Sequence, residues 1–506
     1  MRDLKIAIPL LLSVAMLFSA RALAADADEC DIPNQPSVVF LPKTSAPKNL
    51  LPTPEPGADL PRDCEFYRWA WQAFLFVTQP QSNYPPGNHK PAFLGFKTFQ
   101  DVFKIKASPL FAEQAGDMLS LAPRNIQSPH TAVFNAGEAP AIGDVRQATV
   151  NAVLIDQDGN PIFYALHMNP SFVSFVDDYA LNTLDGLKAA PDTLEFRPGA
   201  VELKSAWKII DDPDHWKNYF TTEAVVPVFK NQNGKIVPDG TKTRPVQVAL
   251  IALHVVGVIE GHPEFIWSTF EHVEHQAKDW VRDNAPAATE NPDQPPAKLQ
   301  IAATKYQLYP KVESPPPPPP VPNANRIVTD QELRLDEATQ KFAPATPIYR
   351  MYPSSQASTS EPGSPAKLST PSEDPEILSL NKNMRALFEK DENKSDVRGN
   401  YQLVGAVWFN TPRGSVKLSL PADFVEGKPF MNTARGAKPS VFGGEDRLSS
   451  TAMESFTQDE NDPNGNGFPN CFSCHDTQGV GGAKGLKASR LNVSHMLSRF
   501  FQLSQH

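Results

Sequence analysis

The chain has 506 residues, 40% hydrophobic and 21% charged, an ordinary globular composition with room for two or three domains. Its formal net charge is -10 and no basic run extends beyond isolated pairs, which disfavours nucleic-acid binding. Proline is the outlier at 51 residues, and much of it is clustered.

Residues 1–24 read as a secretory signal peptide. Arg2 and Lys5 precede an apolar run from Ile6 to Ala20, and Ala22 and Ala24 place small residues where a signal peptidase reads. The run is shorter than the ~20 residues a spanning helix needs. Cys30 has no lipobox before it, so no stable membrane anchor is expected. The mature chain is expected to be exported, with cleavage near Ala24 and the periplasm as its compartment.

Residues 25–63 are proline-rich and lack apolar periodicity, an extended arm. From Cys64 to Val77 the residues Phe66, Trp69, Ala70, Phe74 and Leu75 recur at helical spacing and predict a buried amphipathic helix. Two segments, 148–155 and 161–167, flank the turn residues 156–160 and predict a hairpin. A second hairpin is expected around Asn231–Gly234. Pro245 to Ile259, rich in β-branched residues, predicts a central strand, and Glu264 to His272 another. Residues 64–280 therefore read as an α+β domain with an antiparallel sheet.

Residues 281–378 contain six consecutive prolines, Pro315 to Pro320, which favour a stiff polyproline spacer, and a Ser/Pro/Thr/Glu-rich stretch. They read as a linker zone before a smaller segment, 379–506. In that segment Pro375 to Lys390, which starts inside the linker, predicts a helix. Strands are expected at 401–410 and 415–420, a short helix at 450–458 and an amphipathic helix at 491–503.

The last part of the chain carries its sharpest chemical signal, Cys471-Phe472-Ser473-Cys474-His475. C-x-x-C-H is the attachment signature of a c-type haem. Two cysteines at this spacing reach the two vinyl groups of one haem, and the adjacent histidine supplies an axial nitrogen to the iron. A zinc site would want four protein ligands, and the other cysteines are remote. A redox dithiol normally opens a helix in a βαβ unit, whereas this motif follows a polar loop, 459–467. One covalent haem is the expected cofactor, with Cys471, Cys474 and His475 binding it.

The second axial ligand decides between electron transfer and chemistry at an open iron. His495 and Met496 lie 20 and 21 residues beyond His475, far enough to wrap round a haem. His495 would give bis-histidine ligation; alternatively both residues pack in a helix and the ligand comes from elsewhere or is absent. His254, His262, His272 and His275 form a second cluster in sequence. His272 and His275 could share a helix face as a metal or distal site, or all four could be ordinary hydrogen-bonded histidines. Cys30 and Cys64, the remaining cysteines, are candidates for a disulfide in an oxidising compartment, or are two thiols. No nucleotide-binding, serine-hydrolase or zinc-protease signature is present.

The blocks Trp69-Ala70-Trp71-Gln72-Ala73-Phe74, Val201–Lys208 and Phe265–His272 give a resemblance to a group of exported bacterial cytochrome c family proteins. Met453-Glu454-Ser455-Phe456, Asn470–His475 and Ser494-His495-Met496 extend it. The resemblance spans most of the mature chain outside the linkers. It implies haem binding and periplasmic redox work, and favours His495 over Met496. It implies no defined substrate. The expected function is that of a periplasmic monohaem c-type cytochrome that carries electrons. Its expected partners are a redox protein and the cytochrome c maturation machinery. A haem enzyme or gas-binding protein with an open distal site is the alternative, and a scaffold with structural haem a third reading.

Overall fold

The computed structural model describes residues 30, 64–79, 90–104, 119–120, 122–123, 153–211, 216–260, 262–273, 332–346, 375–390, 395–409, 442–444, 450, 452–453, 471–473, 475, 477, 479 and 485–504. The expected signal peptide, most of the proline-rich stretch 25–63, the six-proline run, the strand expected at 415–420, most of the helix expected at 450–458, His275 and Cys474 lie outside them.

Helix α1 (Cys64–Val77) forms where the periodicity places it, and every residue except Glu65 and Arg68 is buried. Those two pair with each other at 2.8 Å. Short elements follow: β1 (Lys97–Thr98), α2 (Phe99–Phe103), β2 (Leu119–Ser120) and β3 (Ala122–Pro123). Thr98 and Asp101 cap α2 reciprocally, satisfying two backbone donors at its start.

The expected hairpin at 148–167 is reduced among the described residues to one antiparallel bridge, Ile155 to Pro161, before β4 (Phe163–Met168). Its turn serves as a polar plug. Asp156 accepts from the Asp158 and Asn160 amides at 2.9 and 2.8 Å. The fully buried Lys208 donates to Asp156 and Asp158 at 2.5 and 2.6 Å. Burial pushes the Asp156 carboxyl up, and Lys208 opposes that rise.

After α3 (Pro170–Asp178) and α4 (Leu184–Ala189) come the long strands β5 (Val201–Ile210), β6 (Thr221–Gln232), β7 (Lys235–Ile259) and β8 (His262–His272). The β6–β7 turn is Asn233-Gly234, both at positive φ (52° and 76°), the conformation that matches the twist of a hairpin. β7 is central as expected. It pairs antiparallel with β6 along its first half and with β5 and β8 along its second.

Within the 281–378 stretch the structure places a small hairpin, β9 (Arg334–Asp336) and β10 (Lys341–Ala343). Leu335 and Phe342 pack with Ile155, Phe229 and Ile236, so this part of the zone is folded onto the sheet. Next come α5 (Pro375–Phe388), β11 (Tyr401–Phe409), β12 (Phe442–Gly444) and α6 (His495–Leu503). β11 pairs with β8, so the sheet runs β1-β4-β5-β7-β8-β11-β12 and takes strands from both sides of the linker.

One sheet face is covered by α1 and α5. Trp69, Trp71, Phe74, Trp207, Phe270, Leu403 and Met384 belong to that core. Phe74 stacks on Phe270 at 4.3 Å and Phe66 on Trp408 at 4.1 Å. Gly257 lets the Trp69 ring lie directly on β7, since a Cβ there would sit 2.8 Å from it. Cys30 and Cys64 are joined in a disulfide. Residue 30 also accepts from Asn383 at 2.9 Å and donates to Ser379 at 2.8 Å, tying the arm to α5. The opposite face holds a second core, where Met168, Val256, Trp267 and Val407 meet Phe472, Leu491, Val493, Met496 and Leu497. This second face carries the candidate site. No described helix is long and apolar enough to cross a membrane.

Candidate haem-attachment site

Alternation along each strand places residues two apart on the same face. Met168, Glu202, Val256, Trp267 and Val407 are successive cross-strand partners and form one row over five strands. The C-terminal segment lies on this row. Cys471–Ser473 forms a 3-10 turn, and the His475 amide donates to the Cys471 carbonyl at 2.9 Å. That bond closes one helical turn from Cys471 to His475, so the backbone already has the compact form that the motif needs. Phe472 is fully buried with its ring edge-on to Trp267, while Cys471 is half-buried against the same core.

The His475 imidazole is held on three sides. Its ring lies 3.9 Å from that of Trp267. The His495 ring stacks on it at 3.8 Å, with 24° between the planes. Its Nδ1 lies 3.0 Å from the Val493 carbonyl oxygen. A carbonyl only accepts, so Nδ1 carries the hydrogen. Burial pushes the imidazole well below its ordinary pKa, and nearby His495, Lys204 and His254 push it further down. The ring is therefore neutral at pH 7 with its lone pair on Nε2. Neutral imidazole with the other nitrogen donating to a backbone carbonyl is the form in which histidine ligates metal.

The sequence places the support for this geometry in a short stretch. Ser489 caps the 3-10 turn Arg490–Val493, and Ser494 caps α6 by accepting from the Met496 amide. The predicted helix over 491–503 is thus two elements with a break at Ser494. The break presents the Val493 carbonyl to His475. Arg490 forms an ion pair with Glu195, and its amide donates to the Asp192 carbonyl at 3.0 Å. Ser494 Oγ donates to Glu202 at 2.5 Å. Burial raises the Glu202 carboxyl to about 7, partly offset by Ser494.

The structure thus brings His475 and His495 together, with Met496 buried in the adjoining core. His495 is exposed and lies face-to-face with His475. With the rings face to face, both histidines could hold one haem iron only if the rings separated. The other histidine cluster disperses. His262 bonds Glu264 at 2.8 Å. His272 is in a strand, not a helix; it bonds the Asn218 carbonyl at 3.0 Å and stacks on Tyr219. Of the cluster's described members, His254 reaches the neighbourhood of His475. Among the described residues no group of three or more His, Cys, Asp or Glu side chains gathers as a metal site. Sequence reasoning missed Glu202 and Lys204, though both are charged residues, with Lys208, inside the largely apolar strand Val201–Ile210.

The residues present fit a covalently held haem. The turn is compact, His475 Nε2 has its lone pair available, and the surrounding side chains Trp267, Phe472 and Met496 are apolar. Comparison with known protein families, curated proteins and solved structures returned no match for this chain.

Proposed function

We propose that the chain is a periplasmic monohaem c-type cytochrome that carries electrons. The observation that carries this reading is the His475–Val493 bond within the closed Cys471–His475 turn. It holds a neutral imidazole in one tautomer and one orientation, next to a cysteine of the attachment motif. Haem bound there supplies a reversible one-electron couple. Cys471 and Cys474 would hold it, and His475 would ligate its iron through Nε2. Trp267 and Phe472 keep water from that side of the ring. His495 is the second ligand to test. A negatively charged surface suits a basic redox partner, and the maturation machinery would meet the motif after export.

The stacked His475–His495 pair favours a second reading, a haem enzyme or gas-binding protein with an open iron face. The optical spectrum of the dithionite-reduced protein from a maturation-competent host, taken with and without carbon monoxide, decides. Sharp low-spin bands unmoved by carbon monoxide support the electron carrier. A shift supports the open site. Absence of covalent haem removes both.

A further inference from the structure

The row that supports His475 also carries one carboxyl. Glu202 sits between Met168 on β4 and Val256 on β7, and Val256 pairs in turn with Trp267, against which the His475 ring lies. Glu202 is 4% exposed. Among the described residues its carboxyl holds one partner, the Ser494 hydroxyl, which donates to Oε2 at 2.5 Å. Ser494 follows Val493, whose carbonyl holds His475 Nδ1, and precedes His495. One serine therefore joins the buried carboxyl to the segment that orients the histidine.

The titratable groups around Glu202 come from several elements. Lys204 is two residues along β5 on the same face, His254 is the direct partner of Lys204 on β7, and His495 opens α6. β4 brings only the apolar Leu166 and Met168 opposite Lys204 and Glu202. Among the described residues, none of Lys204, His254, His475 and His495 bonds the Glu202 carboxyl. A buried carboxylate with one hydroxyl donor and no bonded cation is costly, and a proton removes that cost. Burial raises the carboxyl to about 7 and Ser494 opposes the rise, so both forms are within reach near neutrality. A group so balanced responds to a charge that changes nearby in a poorly screened interior.

We propose that Glu202 takes up a proton when the haem site gains an electron and releases it when the electron leaves, so that the protein carries the two together. The inference rests on the haem reading. The electron comes from the redox partner and turns ferric iron into ferrous iron. The proton comes from solvent water and turns the Glu202 carboxylate into a carboxylic acid. Reoxidation reverses both. The Ser494 hydroxyl serves either form, since it donates to the carboxylate and is able to accept from the acid. The sign follows from charge: the oxidised site carries one more positive charge and favours the carboxylate.

The test uses the haem-loaded full chain and its Glu202→Gln and Ser494→Ala variants. Midpoint potentials are measured by optical redox titration from pH 5 to pH 9, and reduced-minus-oxidised infrared spectra are recorded near neutrality. The wild-type potential should fall as pH rises through the neutral range, because the reduced protein binds the proton more tightly. A tenfold difference in proton affinity between the two redox states lowers the potential by about 59 mV for a one-electron couple. A carboxylic acid band should appear on reduction. Glu202→Gln keeps an acceptor for Ser494 and has no acid proton, so it should lose the band and stay near the wild-type acid value across this range. Ser494→Ala removes a donor that favours the carboxylate, so the fall should move to higher pH. A loaded wild type with a flat potential or no such band overturns the proposal and leaves the haem reading intact. So does a Glu202→Gln protein that keeps both the slope and the band. A wild-type protein without covalent haem overturns both. Should Glu202→Gln fail to accumulate, Ser494→Ala decides, and a fall centred at the wild-type pH overturns the proposal.

Discussion

The Val493 carbonyl fixes His475: it accepts the Nδ1 hydrogen at 3.0 Å and so leaves Nε2 as the nitrogen that can bind metal. Val493 owes its position to the break at Ser494, which separates the 3-10 turn from α6. The orientation of the His475 ring is thus set by a backbone group eighteen residues downstream.

From this follows a first expectation. His475→Ala should abolish the low-spin haem spectrum. Cys471→Ala should lower covalent haem content in the intact mass, because attachment is left to a single thioether. Retention of full covalent haem by a Cys471→Ala, Cys474→Ala double variant would sink the attachment reading.

Glu202 makes stability fall with rising pH. Its folded carboxyl titrates near 7 and its unfolded one near 4.5, so the folded state binds the proton more tightly. Its contribution is fully present below 4.5 and declines through the 4.5–7 window, by about 3 kcal/mol for a shift of this size. Glu202→Gln should flatten this slope and raise stability at pH 8. Urea denaturation at pH 5 and pH 8 measures it, and an unchanged slope in the variant would refute the assignment.

His167 and His272 act in the opposite sense. Burial lowers them to about 4 and about 3. Each is neutral in the fold, so stability is lost as pH falls below the ordinary histidine value of 6.5 toward those values. His167 Nδ1 is buried with no hydrogen-bond partner among the described residues, whereas His272 holds the Asn218 carbonyl. His167→Phe should therefore reduce acid sensitivity at little cost at pH 7. His272→Phe should do so at a cost of about 0.5–1.5 kcal/mol, from the lost bond alone, because the Asn218 carbonyl still accepts from Asn400 Nδ2 at 3.1 Å. Thermal melts at pH 5 and pH 7 separate the two.

The Cys30–Cys64 disulfide closes a loop with a sequence separation of 34. Loop-closure entropy assigns it about 4 kcal/mol. Its loss also frees the arm from Ser379 and Asn383 on α5. Cys30→Ala/Cys64→Ala should lower the urea midpoint, and reductant should leave the double variant's midpoint unmoved while lowering that of the wild type.

The elements set by local chemistry are legible in the sequence. Asn233-Gly234 dictates a hairpin on its own, and Phe66 to Leu75 has only one amphipathic solution. The α+β class follows from those elements. Pairings between distant segments are not legible. Nothing local in Tyr401–Phe409 names β8 as its partner, and that pairing is what joins the two sides of the linker into one sheet. His272 and His275 have helical spacing, yet the strand from His262 runs through His272, because pairing with β7 and β11 outweighs the spacing. In the site, Cys471 and His475 announce themselves by motif. The partners that orient or surround His475 do not. Val493 acts through its backbone, Trp267 looks like any core aromatic, and Glu202 meets Ser494 across 292 positions.

The segment from Phe472 to Leu497 is also a cover. Met168, Val256, Trp267 and Val407 are buried in a core completed by Phe472, Leu491, Val493, Met496 and Leu497. A chain cut short before Cys471 would display that row of apolar side chains to solvent, a contiguous sticky surface. Copies cut before Cys471 would therefore be marked for aggregation or proteolysis by the same side chains that otherwise cradle the histidine.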